Sequence, residues 1–169
     1  MGQALPGSFP CANGWTPSVA VGHFGRVTLS RNVFEDIDVA MQPFGEIDYA
    51  TFSHNTVTRA NGNTIFMTGR TVWDISSNVF TRDIPSRLFP CGTTDVMIGQ
   101  LGVQGTISGN EFGWRGEHPS APDGCAIDYE GGSAGVVVSD NLLHDSVGAG
   151  VMVYGLSDRK RNISDAKIV

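Results

Sequence analysis

DGCAIDYEGGSAGVVVSDNLLHDSVGAGVMVYG, residues 123–155, contains three short runs of strand-forming character. Ala126–Glu130 and Val136–Ser139 are separated by a glycine break, and Val151–Tyr154 follows a corner at Asn141. Such apolar, β-branched runs bounded by Gly, Ser, Asn and Asp read as strands joined by turns. Three strands of this length cannot bury an apolar face among themselves, so the unit must stack on copies of itself.

The copies are present. Aligned on the asparagine, LSRNVF, FSHNTV, ISSNVF, ISGNEF and VSDNLL recur at Asn32, Asn55, Asn78, Asn110 and Asn141, with spacings of 23, 23, 32 and 31 residues. Three residues before each asparagine stands a large apolar side chain (Leu29, Phe52, Ile75, Ile107, Val138), and two before stands a serine (Ser30, Ser53, Ser76, Ser108, Ser139). Two residues after, the chain is apolar again (Phe34, Val57, Phe80, Phe112, Leu143).

A 23-residue repeat is shorter than a usual βα unit, and its corners carry Ser, Asn and Gly rather than helix formers. The two apolar columns fit inward positions on two strands flanking a corner. Asparagine tolerates the left-handed backbone of such a corner better than most residues, and is expected to adopt it. With strands stacked about 4.8 Å apart, identical amides can hydrogen-bond up the stack as a ladder. The apolar residues after the asparagines would form an internal stack. The expected fold is all-β, a solenoid of about five to six coils over residues 19–169. Residues 1–18 carry Pro6, Pro10, Pro17 and Trp15 but no repeat, and read as an irregular cap or tail.

This pattern resembles the right-handed parallel β-helix superfamily, which includes pectate lyases, polygalacturonases, alginate-acting enzymes and phage tailspikes. The resemblance implies a carbohydrate-associated protein in an extracellular or periplasmic setting. The N-terminus itself has neither the charged nor the apolar region of a secretory signal.

Composition narrows the partners. Glycine numbers 22 and charged residues are 17% of the chain, as suits many tight turns on a β framework. The net charge of −6 argues against nucleic acid, whose phosphates require a basic surface. It equally opposes unaided binding of polyanionic glycans, unless Ca²⁺ or a basic patch such as Arg159–Arg161 intervenes. No apolar run reaches membrane-spanning length, so no membrane partner is expected. Of Cys11, Cys91 and Cys125, the last two lie about one repeat apart. They read either as a disulfide between neighbouring loops or as separate buried thiols.

The longer spacings place insertions between Arg82 and Asp95 and between Trp114 and Asp123, as loops overhanging the stack. Residues 162–169, NISDAKIV, read as the start of a further repeat strand. With Val169 three residues before the next asparagine position, the spacing would again be 31. That incomplete repeat suggests a piece of a longer stack, or a chain capped by self-association.

Alternation within Ala126–Glu130 puts Ile127 and Tyr129 inside and Asp128 and Glu130 on the outer face. Carboxylates two residues apart on a strand are separated by roughly 6–7 Å, compatible with a glycosidase pair and with a Ca²⁺ site. A solvated strand face is the plain alternative. Counted from the asparagines, Met97 shares a column with Asp128 and Gly99 with Glu130, while Met152 and Tyr154 occupy the matching places one repeat further on. An aromatic beside carboxylates suits a sugar subsite.

On the second overhanging loop, His118 is placed as a mobile general acid or base, with Arg115 and Trp114 as substrate-binding neighbours. His144 is adjacent to Asp145, but successive strand residues face opposite ways, so the two form a dyad only if the turn rotates them. It reads as a corner histidine or a substrate contact. The NTD, DD, GHG and RIK elements of polygalacturonases and the DPHD element of mannuronan epimerases are missing, so no family's catalytic residues transfer. The expectation is a glycoside hydrolase or polysaccharide lyase acting on an oligo- or polysaccharide, with Ca²⁺ as an optional cofactor. The alternative is a non-catalytic structural or glycan-binding β-helix.

Overall fold

The computed structural model describes residues 23–37, 40–41, 47–60, 63–67, 71–82, 94–98, 103–114, 125–130, 135–145, 149–154 and 167–169. Within them the chain is all-β, every strand pairing is parallel, and no helix occurs among the described residues. The strands are distributed over three sheets that the chain visits in rotation.

The first sheet is formed by β1 (Phe24–Ser30), β3 (Ile47–Ser53), β6 (Val72–Ser76), β9 (Gln104–Ser108), β12 (Val136–Ser139) and β15 (Lys167–Ile168), in that order. The second holds β2 (Val33–Glu35), β4 (Thr56–Thr58), β7 (Val79–Arg82), β10 (Glu111–Trp114) and β13 (Leu142–His144). The third holds β5 (Ile65–Met67), β8 (Val96–Ile98), β11 (Ile127–Glu130) and β14 (Val151–Tyr154), with Met41 bridged to Ile65 at its edge.

Register follows the asparagine columns. Ser30, Ser53, Ser76, Ser108 and Ser139 pair in succession across the first sheet, and Phe34, Val57, Phe80, Phe112 and Leu143 across the second. At the far edge Val138 pairs with Ile168, so Ile168 rather than Val169 takes the apolar column, one residue earlier than the spacing predicts.

The asparagines form the expected ladder. Nδ2 of Asn32, Asn55, Asn78 and Asn110 donates to Oδ1 of the next asparagine at 3.1, 3.1, 2.9 and 2.9 Å. Each of these Oδ1 atoms also accepts the backbone N–H of the preceding asparagine. The second proton of Nδ2 goes to a carbonyl of the repeat before at Asn55, Asn78 and Asn110, as from Asn78 to Phe52 at 2.8 Å and from Asn110 to Ile75 at 2.9 Å, and to Ser30 of its own repeat at Asn32. An amide supplies two donors and two acceptor sites, and at Asn55, Asn78 and Asn110 all four are used. Aspartate lacks the donors, which is why the column is asparagine.

The left-handed backbone is not at the asparagine. It lies one residue earlier, at Arg31, His54, Ser77, Gly109 and Asp140, with φ from 54° to 63° among the first four and 55° at Asp140. The N–H groups of the first four bond across to the next repeat, for example Arg31 to the Ser53 carbonyl and Ser77 to the Ser108 carbonyl. The column accepts side chains as different as Arg, His, Ser, Gly and Asp, and in the first four repeats a bond to the neighbouring repeat holds the turn.

The core runs along the interior of the stack. Phe34, Phe52, Phe80 and Phe112 stack with centroid separations of 5.6, 6.2 and 4.8 Å. The second repeat contributes its ring from the first sheet (Phe52) and an aliphatic residue from the second (Val57), reversing the arrangement of its neighbours Leu29/Phe34 and Ile75/Phe80. The first four repeats therefore each fill the corner with one ring and one aliphatic side chain, the sides being exchanged in the second, while the fifth carries Val138 and Leu143.

In the adjoining column, Trp73 sits between Ala50 and Gly105. A Cβ on Gly105 would lie 1.9 Å from the Trp73 carbonyl oxygen, and φ there is 138°. Only glycine permits that approach.

The extra residues of the 32- and 31-residue spacings fall between the second and third sheets. Thr58 pairs with Thr81, 23 residues on, but Ile65 pairs with Val96, 31 residues on. The inserted connections thus join β7 to β8 and β10 to β11, as the spacing predicts. Residues 1–18, with Cys11, and Cys91 lie outside the described residues, and Cys125 is buried.

Candidate functional site

The third sheet carries the carboxylates singled out from sequence. Its inner columns are apolar: Ile65, Val96 and Ile127 in one, Met67, Ile98 and Tyr129 in the other, all buried. Between them, with the opposite strand parity, runs the column Phe66, Met97, Asp128, Met152, in which Met97 stands beside Asp128 as the asparagine count places it. Glu130 pairs with Tyr154.

Alternation gives Asp128 the strand parity opposite to Ile127 and Tyr129, yet the residue is 0% exposed. A solvated carboxylate on a flat face does not describe it. Strand parity gives the side on which a residue stands, whereas exposure depends on what lies over that side. Phe66 and Met152, in the same column, are half-buried.

A second buried acid was not paired with Asp128 by the sequence reading. Asp95 is 3% exposed, directly precedes β8, and accepts a hydrogen bond from Thr64 Oγ1 at 3.4 Å. Val96 pairs with Ile127, so Asp95 shares strand parity with Asp128 while lying one repeat back and two positions along. That offset places the two backbones roughly 8 Å apart. The signal was available in the register, since TTDVMI aligns with GCAIDY, but Asp95 reads from sequence alone as a loop residue. Thr64, Thr94 and Cys125 are buried beside this strand entrance, and Asn63 Oδ1 accepts the Thr94 N–H at 3.0 Å.

His144 stands elsewhere, on the outer face of the second sheet. Its Nδ1 lies 2.8 Å from Asp145 Oδ2, and its Nε2 lies 3.1 Å from Glu111 Oε1. The dyad forms because Asp145 takes φ 54°, supplying the rotation that regular alternation lacks. Hydrogen bonding to Asp145 first, and to Glu111 second, raises the His144 pKa above its ordinary value, against a smaller opposing effect of desolvation. This cluster is distinct from the third-sheet column.

At the opposite end of the same face, Arg59 Nε donates to Asp36 Oδ1 at 2.6 Å and Nη2 to Asp36 Oδ2 at 2.8 Å, and Nη2 also pairs with Glu35. The hydrogen bond from Arg59 holds the Asp36 carboxyl below its usual range.

Arg115 and His118 lie outside the described residues. Trp114, Glu130 and Tyr154 are placed by strand register. For Ca²⁺, Asp128 and Glu130 are the oxygen donors the sequence offers. Among the described residues, no group of three His, Cys, Asp or Glu side chains converges on a metal position. Comparison with protein-family models, curated proteins and solved structures finds no match to this chain.

Proposed function

We propose that the chain is a right-handed parallel β-helix that hydrolyses an extended oligo- or polysaccharide at the outer face of its third sheet, with Asp128 as the central carboxyl group. The handedness follows from the general rule that a crossover between parallel strands of one sheet is right-handed, applied to strands that return to each sheet once per repeat. The observation that carries the functional reading is the complete burial of Asp128 in an outer column. A carboxyl group withdrawn from water on a face otherwise made of Phe66, Met97 and Met152 suits a catalytic or ligand-binding role better than a solubilising one.

Two acids are available as partners. Glu130 lies two residues further along the same strand, opposite Tyr154, and Asp95 lies one repeat back. Separations of roughly 6–8 Å between such backbones suit one carboxyl as general acid and the other as nucleophile or base. Sugar hydroxyls would bond the carboxylates, with Tyr154 as an aromatic platform. Arg115 and His118 are proposed to contact substrate from the loop after β10.

The test is a turnover screen on neutral and uronic-acid polysaccharides, with and without Ca²⁺, following reducing ends and unsaturated-uronate absorbance. With the active substrate, Asp128→Asn should lower turnover by about 10²–10⁴-fold, the usual contribution of a positioned acid or base. Glu130→Gln and Asp95→Asn, each checked for folding by denaturant titration, identify the partner. Unsaturated product would replace hydrolysis with elimination. Absence of turnover on every substrate by folded protein would leave a binding or structural β-helix.

A further inference from the structure

The His144 cluster joins two repeats, and its strength depends on a proton. His144 on β13 lies in register with Gly113 on β10, and its imidazole rests over that glycine. A Cβ at Gly113 would come within 2.8 Å of the ring Cε1 and 3.0 Å of Nε2. One nitrogen meets Asp145 of its own repeat and the other reaches back to Glu111 of the preceding repeat. A doubly protonated ring donates to both carboxylates, whereas a neutral ring has one N–H and one lone pair. It must then turn a lone pair toward one carboxylate, which is repulsive.

The first two repeats show the same device with a fixed charge. Arg59 of the second repeat grips Glu35 and Asp36 of the first. An arginine does not titrate in the physiological range, and a histidine does.

We propose that His144 is a proton-operated clasp between the fourth and fifth repeats, closed when the ring carries both protons and releasing its Glu111 arm when it loses one. Asp145, the nearer acid and in the same repeat, keeps the remaining N–H. On the same face, Gly113, Thr81 and Thr58 stand uncharged in the histidine's own column and separate it from Glu35 at the column's far end. Glu111 lies on β10, Asp145 follows β13, and Arg82 on β7 occupies the column of Asp145 two repeats away, beyond Trp114.

The direction with pH is fixed by the raised pKa of folded His144. The clasp's stabilisation is fully present below the unfolded histidine value of about 6.5, and is lost as pH rises through the higher folded value.

The experiment is an NMR titration of His144 combined with hydrogen exchange, corrected for intrinsic rates, between about pH 6 and pH 9. His144 should titrate above an ordinary histidine, and Asp145→Asn and Glu111→Gln should each lower its pKa. Protection of the Leu142 amide, which bonds the Asn110 carbonyl, should fall by about two- to fivefold across the titration, the scale of an exposed ion pair. In His144→Gln it should be low and flat. The Thr56 amide, on the Arg59-clasped repeats, should not respond. An ordinary or lowered His144 pKa, unchanged protection, or the same fall in His144→Gln would overturn the clasp.

Discussion

Asn78→Ala is expected to lower the unfolding free energy by about 4 kcal/mol, because it strands several buried polar groups at once. Asn78 donates to Asn110 Oδ1 and the Phe52 carbonyl, and accepts from the Asn55 backbone and side chain, at 2.8 to 3.1 Å throughout. The residue is 1% exposed, so water does not replace what is removed without entering the stack. Asn78→Asp should be worse at neutral pH. Its carboxylate would still accept from Asn55, but would face two oxygen acceptors and bring a charge into the interior. Acid should therefore recover part of the stability of Asn78→Asp and none of that of Asn78→Ala. Guanidinium titrations at two pH values measure this directly. Asn32→Ala, at an exposed position, supplies the milder comparison. Equal, small losses at both positions would show that the ladder contributes little to stability.

Gly105→Ala is expected to cost at least as much, about 4 kcal/mol or more, through a different mechanism. The added Cβ meets the Trp73 carbonyl oxygen at 1.9 Å and two further Trp73 backbone atoms at 2.7 Å, so no rotamer change can relieve it. β9 would have to separate from β6, weakening the pairing between the third and fourth repeats. The expected result is a fall in denaturation midpoint with loss of near-ultraviolet signal from Trp73. Gly113→Ala is the informative contrast. Its Cβ meets only the end of the His144 side chain, which can swing away, so the cost should be about 1 kcal/mol. A fully stable Gly105→Ala protein would contradict the close approach of these two strands.

Much of this architecture is legible in the sequence because the repeat is translational. Once the asparagines are aligned, the columns, the insertion points and the partners of Asp128 follow by counting. What resists counting are features set by a neighbouring repeat. The left-handed corner sits at Arg31, His54, Ser77, Gly109 and Asp140, residues with no common chemistry, and at the first four a hydrogen bond to the next repeat holds it. Asparagine draws attention as the turn residue, yet it is selected for its amide. Burial of Asp128 is illegible for a related reason: its strand decides its face, and other parts of the chain decide its access to water. Asp145 escapes strand alternation through a single positive φ, and that alone creates the contact with His144.

The exchange of Phe52 and Val57 bears on how such a chain can change over time. If the ring can come from either side of a corner, then neither position by itself is under a fixed requirement. The requirement falls on the pair. Phe52→Val alone leaves a void and Val57→Phe alone crowds the stack, but the two together restore the arrangement seen in the repeats on either side. Substitutions here should travel as couples, so an inventory made one column at a time would score both sites as variable and miss the constraint that joins them.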